Sequence, residues 1–275
     1  MPHFTAPDGL SLWYEDQGAG LPLLCLSGLT RNARDFDYVA PHLSGVRMIR
    51  MDYRGRGKSD WADPKTYDVQ VEMADALTLM DFLGIEKAAI LGTSRGGLIG
   101  LLMATMAKDR MLGLALNDIG AEVNGAGLQV IRDYVGKHPA QQTVEEAAQF
   151  RMAANAETFP GVPIERWRKE VTNTARETPD GLRLNYDPKL GETLDDGAAA
   201  ATTIDLWPLF GAVAPLPCAV IHGENSDLLT RATVDEMARR NPDLIVAHVP
   251  DRAHIPFLDE PESLAALAQW LDKIK

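Results

Sequence analysis

The sequence predicts an α/β protein: a mostly parallel sheet with helices on both faces and a helical block inserted into the chain. Three observations predict it. Short apolar runs without alternation recur through the first 120 residues and again near the C-terminus, as expected of strands buried on both faces. Segments of helical periodicity separate them, which implies right-handed βαβ crossovers. Between about residues 121 and 211 the alternation stops, and helical patterns broken by Gly and Pro follow one another.

Each element has its own signal. Asp8-Gly9 marks a turn between Phe4–Ala6 and the run Leu10–Tyr14, and Gln17–Gly20 ends that run. Leu21–Leu26, Val46–Met51, Ala88–Leu91 and Leu112–Leu116 read as buried strands. Val71–Leu83 reads as a helix stopped by Gly84. Gly97–Met106 is apolar nearly all round, so its helix should be buried. In the inserted block, Leu128–Val135, Val144–Thr158 and Ile164–Glu177 read as helices. Strands resume at Cys218–Ile221 and Leu244–Val249, and the amphipathic helix Pro261–Ile274 closes the pattern. The partition is a discontinuous core, residues 1–120 and 212–275, with an insertion over 121–211; the alanine run 198–201 is too short to be a low-complexity tract.

Composition narrows the partners. A net charge of −12 over 275 residues opposes a nucleic-acid or anionic-lipid surface, since both select basic faces. Cys25 and Cys218 lie in apolar runs far apart. Without CxxC or HExxH spacing they read as two buried free thiols, with a core disulfide as the alternative. No basic-then-apolar leader and no long apolar span occurs, which predicts a cytoplasmic protein. No cofactor or metal is expected, a small molecule is the expected partner, and oligomeric state is not readable.

The chemistry is carried by Gly92-Thr93-Ser94-Arg95-Gly96. It follows a predicted strand and opens a predicted helix, the context of a G-x-S-x-G nucleophile elbow. A serine hydroxyl needs a base, and the base an orienting acid, in the chain order Ser, acid, His. Asp227 follows the strand Cys218–Ile221, and His254 follows Leu244–Val249. Ser94, Asp227 and His254 would then share the C-terminal edge of one sheet, where open α/β sheets place their sites. Glu224 and Asp251 lie nearby, and Asp118 ends the strand Leu112–Leu116. Gly57-Lys58-Ser59 is not a P-loop, because Asp52 stands where its first glycine belongs.

With these motifs the sequence resembles the α/β-hydrolase fold superfamily, among its serine-nucleophile members with a helical cap. Asp52-Tyr53-Arg54-Gly55-Arg56-Gly57-Lys58-Ser59 is similar to the D-x-R-G-x-G-x-S segment of that family. Ser27-Gly28-Leu29 occupies the place of its His-Gly oxyanion loop, with Ser27 in place of the usual His. The resemblance implies an oxyanion hole made by the backbone N–H groups of Leu29 and Arg95. Arg54 and Arg56 read as loop braces through hydrogen bonds, and the resemblance keeps Asp118 open as the acid, because some relatives place it there. Asp251-Arg252-Ala253-His254 departs from the common Gly-x-Gly-His, which affects the angle of His254.

The resemblance implies acyl transfer on a small carbonyl substrate, a carboxylic ester or lactone. Relatives that cleave carbon–halogen bonds or epoxides carry Asp in place of Ser94. Two alternatives stay open: hydrolysis of a carbon–carbon bond in a ring-fission diketone, and a low-turnover ligand-binding protein. Arg95, with Arg31 on the oxyanion loop, is a candidate for binding a substrate anion; the competing role is pairing with an internal acid such as Glu122 or Asp118. Trp207, Leu209 and Phe210 are candidates for an apolar pocket wall or for packing between cap and core.

Overall fold

The structure is a computed structural model describing residues 2–194 and 203–275. The alanine run 198–201 and part of the 121–211 block lie outside these residues.

In chain order the strands are β1 (His3–Thr5), β2 (Ser11–Gly18), β3 (Leu21–Leu26), β4 (Val46–Met51), β5 (Ala88–Thr93), β6 (Met111–Asn117), β7 (Glu122–Val123), β8 (Ala175–Thr178), β9 (Gly181–Leu184), β10 (Ile204–Asp205), β11 (Cys218–Gly223) and β12 (Ile245–Val249). The α-helices are α1 (Val69–Phe82), α2 (Arg95–Met106), α3 (Gly125–Tyr134), α4 (Val144–Ala154), α5 (Ile164–Thr174), α6 (Trp207–Val213), α7 (Arg231–Arg240) and α8 (Pro261–Ile274).

Eight strands form one sheet in the order β1-β2-β4-β3-β5-β6-β11-β12. The β1–β2 and β2–β4 pairs are antiparallel, and every pair from β4 to β12 is parallel. The apolar runs are continuous because alternate residues feed two different cores. Ile90, Leu114, Leu116 and Val220 pack on one face with Leu79, Ile99 and Leu101. Leu91, Ala115, Ala219 and Ile221 pack on the other with Leu267 and Trp270 of α8. Cys25 and Cys218 belong to these two separate cores and are free thiols, so no disulfide joins them. Burial pushes each thiol up to about 12.

The block between β6 and β11 is not wholly helical. α5 ends at Thr174, and Ala175–Thr178 pairs antiparallel with Gly181–Leu184 where the helix was expected to continue. Pro179-Asp180-Gly181 supplies the turn, with Gly181 at φ +92°. The β7–β10 pair ties the beginning and end of the block together. Among the described residues no helix is long and apolar enough to cross a membrane.

Candidate active site

The sharp turn from β5 into α2 carries Ser94 at φ +49°, ψ −114°, a backbone conformation that L-residues adopt only under strain. The glycines on either side have steric reasons. A Cβ on Gly92 would come within 2.5 Å of the Gly96 carbonyl, and one on Gly96 would strike the carbonyl of Leu26. The Ser94 amide continues the sheet by donating to the Asn117 carbonyl at 3.0 Å.

Ser94 Oγ lies 3.0 Å from His254 Nε2, and His254 Nδ1 lies 2.7 Å from Asp118 Oδ2. His254 is held from behind. Asn225 N–H donates to the Arg252 carbonyl, and Arg252 pairs with Glu260 at 3.1 Å. The unusual Asp251-Arg252-Ala253 sequence therefore still presents an imidazole within reach of both partners.

The acid beside His254 is Asp118, not Asp227. Asp118 directly follows β6 at φ +52° and is fully buried. Aspartate tolerates this left-handed backbone better than most residues. Three donors converge on its carboxylate: the N–H of Gly223 at 2.9 Å, Ser226 Oγ at 2.6 Å and His254 Nδ1. Asp227 sits one residue beyond Ser226, exposed, and its carboxylate makes no hydrogen bond or ion pair among the described residues. The loop after β11 thus supports the acid of the neighbouring strand instead of supplying one.

The segment Asp52–Ser59 braces the loop after β3. Asp52 accepts the N–H groups of Ala33 and Lys58 at 2.8 and 2.9 Å. Arg56 Nε donates to the Leu29 carbonyl at 3.0 Å, and Tyr53 donates to that of Ser27 at 3.2 Å. Arg54 is paired with Asp75 and Asp8. The N–H groups of Leu29 and Arg95 take no acceptor among the described residues.

Arg95 is not an open anion clamp. Its guanidinium pairs with Glu72 at 2.6 Å and donates to the Tyr67 carbonyl at 2.9 Å, while the other Glu72 oxygen lies 2.8 Å from Arg56. The partner acid is Glu72, not Glu122 or Asp118. Arg95→Met is therefore expected to lower kcat/KM for a carboxylate-bearing ester and its neutral analogue by the same factor. A loss confined to the charged ester would show substrate contact instead. Arg31 is likewise occupied, at 2.7 Å from Asp35 and 2.5 Å from Glu170. Burial holds the Asp35 carboxyl up at about 6, against the pull of Arg31.

A cavity of about 500 Å³ opens beside His254. Its apolar wall is built by Phe159, Trp167 and Phe257, whose rings meet edge-on or tilted. Thr30, Arg31, Tyr134, Arg151, Glu170 and Tyr186 supply polar lining. Trp207 and Phe210 do not line it. Phe210 is buried in the core against which Trp207 and Leu209 pack, beside α2. Trp207 Nε1 donates to Glu122, and the Arg240 guanidinium lies 3.8 Å from its ring centre. The wall residues were not visible in sequence, because aromatics in amphipathic helices and loops look the same whether they line a cavity or fill a core.

A model of the alpha/beta hydrolase family matches residues 23–267. The chain is 37% identical over 259 residues to a 3-hydroxybutyrate-oligomer hydrolase of Cupriavidus necator, covering 90% of this chain and 87% of that protein. It is 26% identical to a 2-(acetamidomethylene)succinate hydrolase of Mesorhizobium japonicum, covering 96% and 92%. The crystal structure of an alpha/beta hydrolase from Novosphingobium aromaticivorans superposes with a TM-score of 0.91 at 37% identity, covering 99% of this chain and 97% of that one.

Proposed function

The chain belongs to the alpha/beta hydrolase family and is a hydrolase, and from that premise we propose that it cleaves esters of short hydroxyacids by acyl transfer through Ser94, His254 and Asp118. The observation that carries this reading is the unbroken chain of 3.0 and 2.7 Å contacts from Ser94 Oγ through His254 to a fully buried carboxylate. The substrate class is supported by the relative whose name specifies 3-hydroxybutyrate oligomers, which are chains of ester bonds.

In this reading Ser94 Oγ attacks the ester carbonyl carbon and passes its proton to His254 Nε2. Asp118 accepts from His254 Nδ1, which fixes the tautomer and steadies the imidazolium that forms. The N–H groups of Leu29 and Arg95 receive the oxyanion, and the free N-terminus of α2 adds its positive end. His254 then protonates the leaving alkoxide. It next takes a proton from water, whose oxygen attacks the acyl-serine, and the acid and free Ser94 are restored. Asp118 has no exposed side-chain surface while the His254 side chain is 15% exposed, so of these two the base, not the acid, faces the substrate. The described part of the 121–211 block acts as a cap, contributing walls of the cavity from α4, α5 and β9.

A fluorophosphonate probe should label the wild-type protein at Ser94, with labelling abolished in Ser94→Ala. Well-folded wild type that takes no label would point to a ligand-binding protein. Short p-nitrophenyl esters, 3-hydroxybutyrate oligomers, lactones and a ring-fission diketone, assayed side by side, should show turnover highest on the oligomers. Turnover confined to the diketone would replace ester cleavage with carbon–carbon cleavage.

A further inference from the structure

Arg151, in the last turn of α4, stands on the wall of the cavity that His254 also lines. A guanidinium carries five N–H donors. One of them reaches Thr174 Oγ1 at 3.2 Å, a neutral acceptor, and no carboxylate of the described residues pairs with it. Arg31, on the same cavity, shows the contrast, because Asp35 and Glu170 both hold it. Glu170 is the acid whose charge Arg151 feels most, but its oxygens are occupied by Arg31 and the Tyr38 hydroxyl. A partly buried cation without a counter-charge works against folding. Burial lowers the pKa of Arg151, and the charge of Arg31 adds to this against the pull of Glu170. An anion arriving in the cavity would supply the counter-charge that offsets both effects.

We propose that Arg151 anchors a carboxylate of the substrate, so that the site takes ester acids in preference to neutral esters. This rests on the hydrolase reading above. There the anion is the free carboxylate end of a short hydroxyacid oligomer, held bidentately by the guanidinium. The aromatic wall of Phe159, Trp167 and Phe257 covers the alkyl part of the chain. With the acid end fixed at Arg151 and the scissile carbonyl at Ser94, cleavage is counted from the carboxylate terminus.

The test uses calorimetric titration of full-length Ser94→Ala with the linear dimer of 3-hydroxybutyrate and with its methyl ester. Ser94→Ala should bind the acid about 10- to 100-fold more tightly than the methyl ester, the span expected for a charged hydrogen bond. That difference should vanish in Ser94→Ala/Arg151→Met and partly survive in Ser94→Ala/Arg151→Lys. Equal affinity for acid and ester, no binding of either, or an acid preference that outlives Arg151→Met would overturn the proposal. Kinetics on the active protein give the second reading: Arg151→Met should lower the ratio of kcat/KM for acid over methyl ester through KM. Folding is checked by melting, where Arg151→Met should equal or exceed its parent, since it removes an unpaired cation. Should wild type hydrolyse no ester while Arg151-dependent acid binding persists, the anion site stands and the hydrolase reading falls.

Discussion

Asp118→Asn is expected to lower kcat/KM by about 10⁴-fold, while Asp227→Asn leaves it within about 2-fold of wild type. The amide fits the same space, and its oxygen can still accept the Gly223 N–H that Asp118 accepts at 2.9 Å. What it cannot do is accept both from Ser226 Oγ and from His254 Nδ1, as Oδ2 does at 2.6 and 2.7 Å. An Asn NH₂ facing His254 favours the tautomer with the proton on Nε2. That leaves no lone pair there to take the Ser94 proton. Rates of fluorophosphonate labelling measure the same loss without any choice of substrate. The exposed Asp227 carboxylate has no partner to lose among the described residues. Comparable losses in both variants would mean that the two loops rearrange together, and a loss in Asp227→Asn alone would restore the loop after β11 as the source of the acid.

These two aspartates mark where sequence stops being informative. Ser94 and His254 are legible because each is fixed locally, one by flanking glycines with no room for Cβ and one by a loop leaving an apolar strand. The acid is different. β6 and β11 are hydrogen-bonded neighbours, so the loops after both reach the same edge of the sheet. The choice is made by a positive φ at Asp118 and by donors at Gly223 and Ser226, far away in sequence. The strands are legible for a related reason. Burial on both faces forces continuous apolar runs, and the expected Leu21–Leu26 and Val46–Met51 coincide with β3 and β4. The β8–β9 hairpin was hidden because Ala175–Glu177 extends the helical pattern of α5, although Pro179-Asp180-Gly181 carries the turn chemistry that betrays it. α7 shows the opposite failure: only Thr233, Val234 and Met237 are buried in it, too narrow a stripe to announce a helix. Arg151 was invisible because a lone arginine on a polar helix reads as a solvated face. What sets it apart in space is that no carboxylate of the described residues pairs with it.

Glu72→Gln is expected to destabilise the fold by about 3–5 kcal/mol, a fall in Tm of roughly 10 °C for a chain of this size. Glu72 projects from the first turn of α1 and is fully buried. One oxygen pairs with Arg95 at 2.6 Å and the other with Arg56 at 2.8 Å. Replacing the carboxylate with an amide keeps the volume and leaves the buried Arg56 and the partly buried Arg95 without their shared counter-charge, which costs more than the pair gave. The effect should reach the site, because the two arginines serve different halves of it. Arg95 directly follows Ser94, and Arg56 holds the Leu29 carbonyl at 3.0 Å. Glu72 therefore ties the turn that carries Ser94 to the loop whose N–H is proposed to receive the oxyanion. A second comparison separates charge from shape. Combining Glu72→Gln with Arg95→Met removes one orphaned cation and should recover part of the lost Tm. Losses that simply add would mean that the carboxylate acts through packing and hydrogen bonds alone. In that case the Arg56 and Arg95 guanidinium groups are stabilised by their surroundings as a whole, and Glu72 is one acceptor among several.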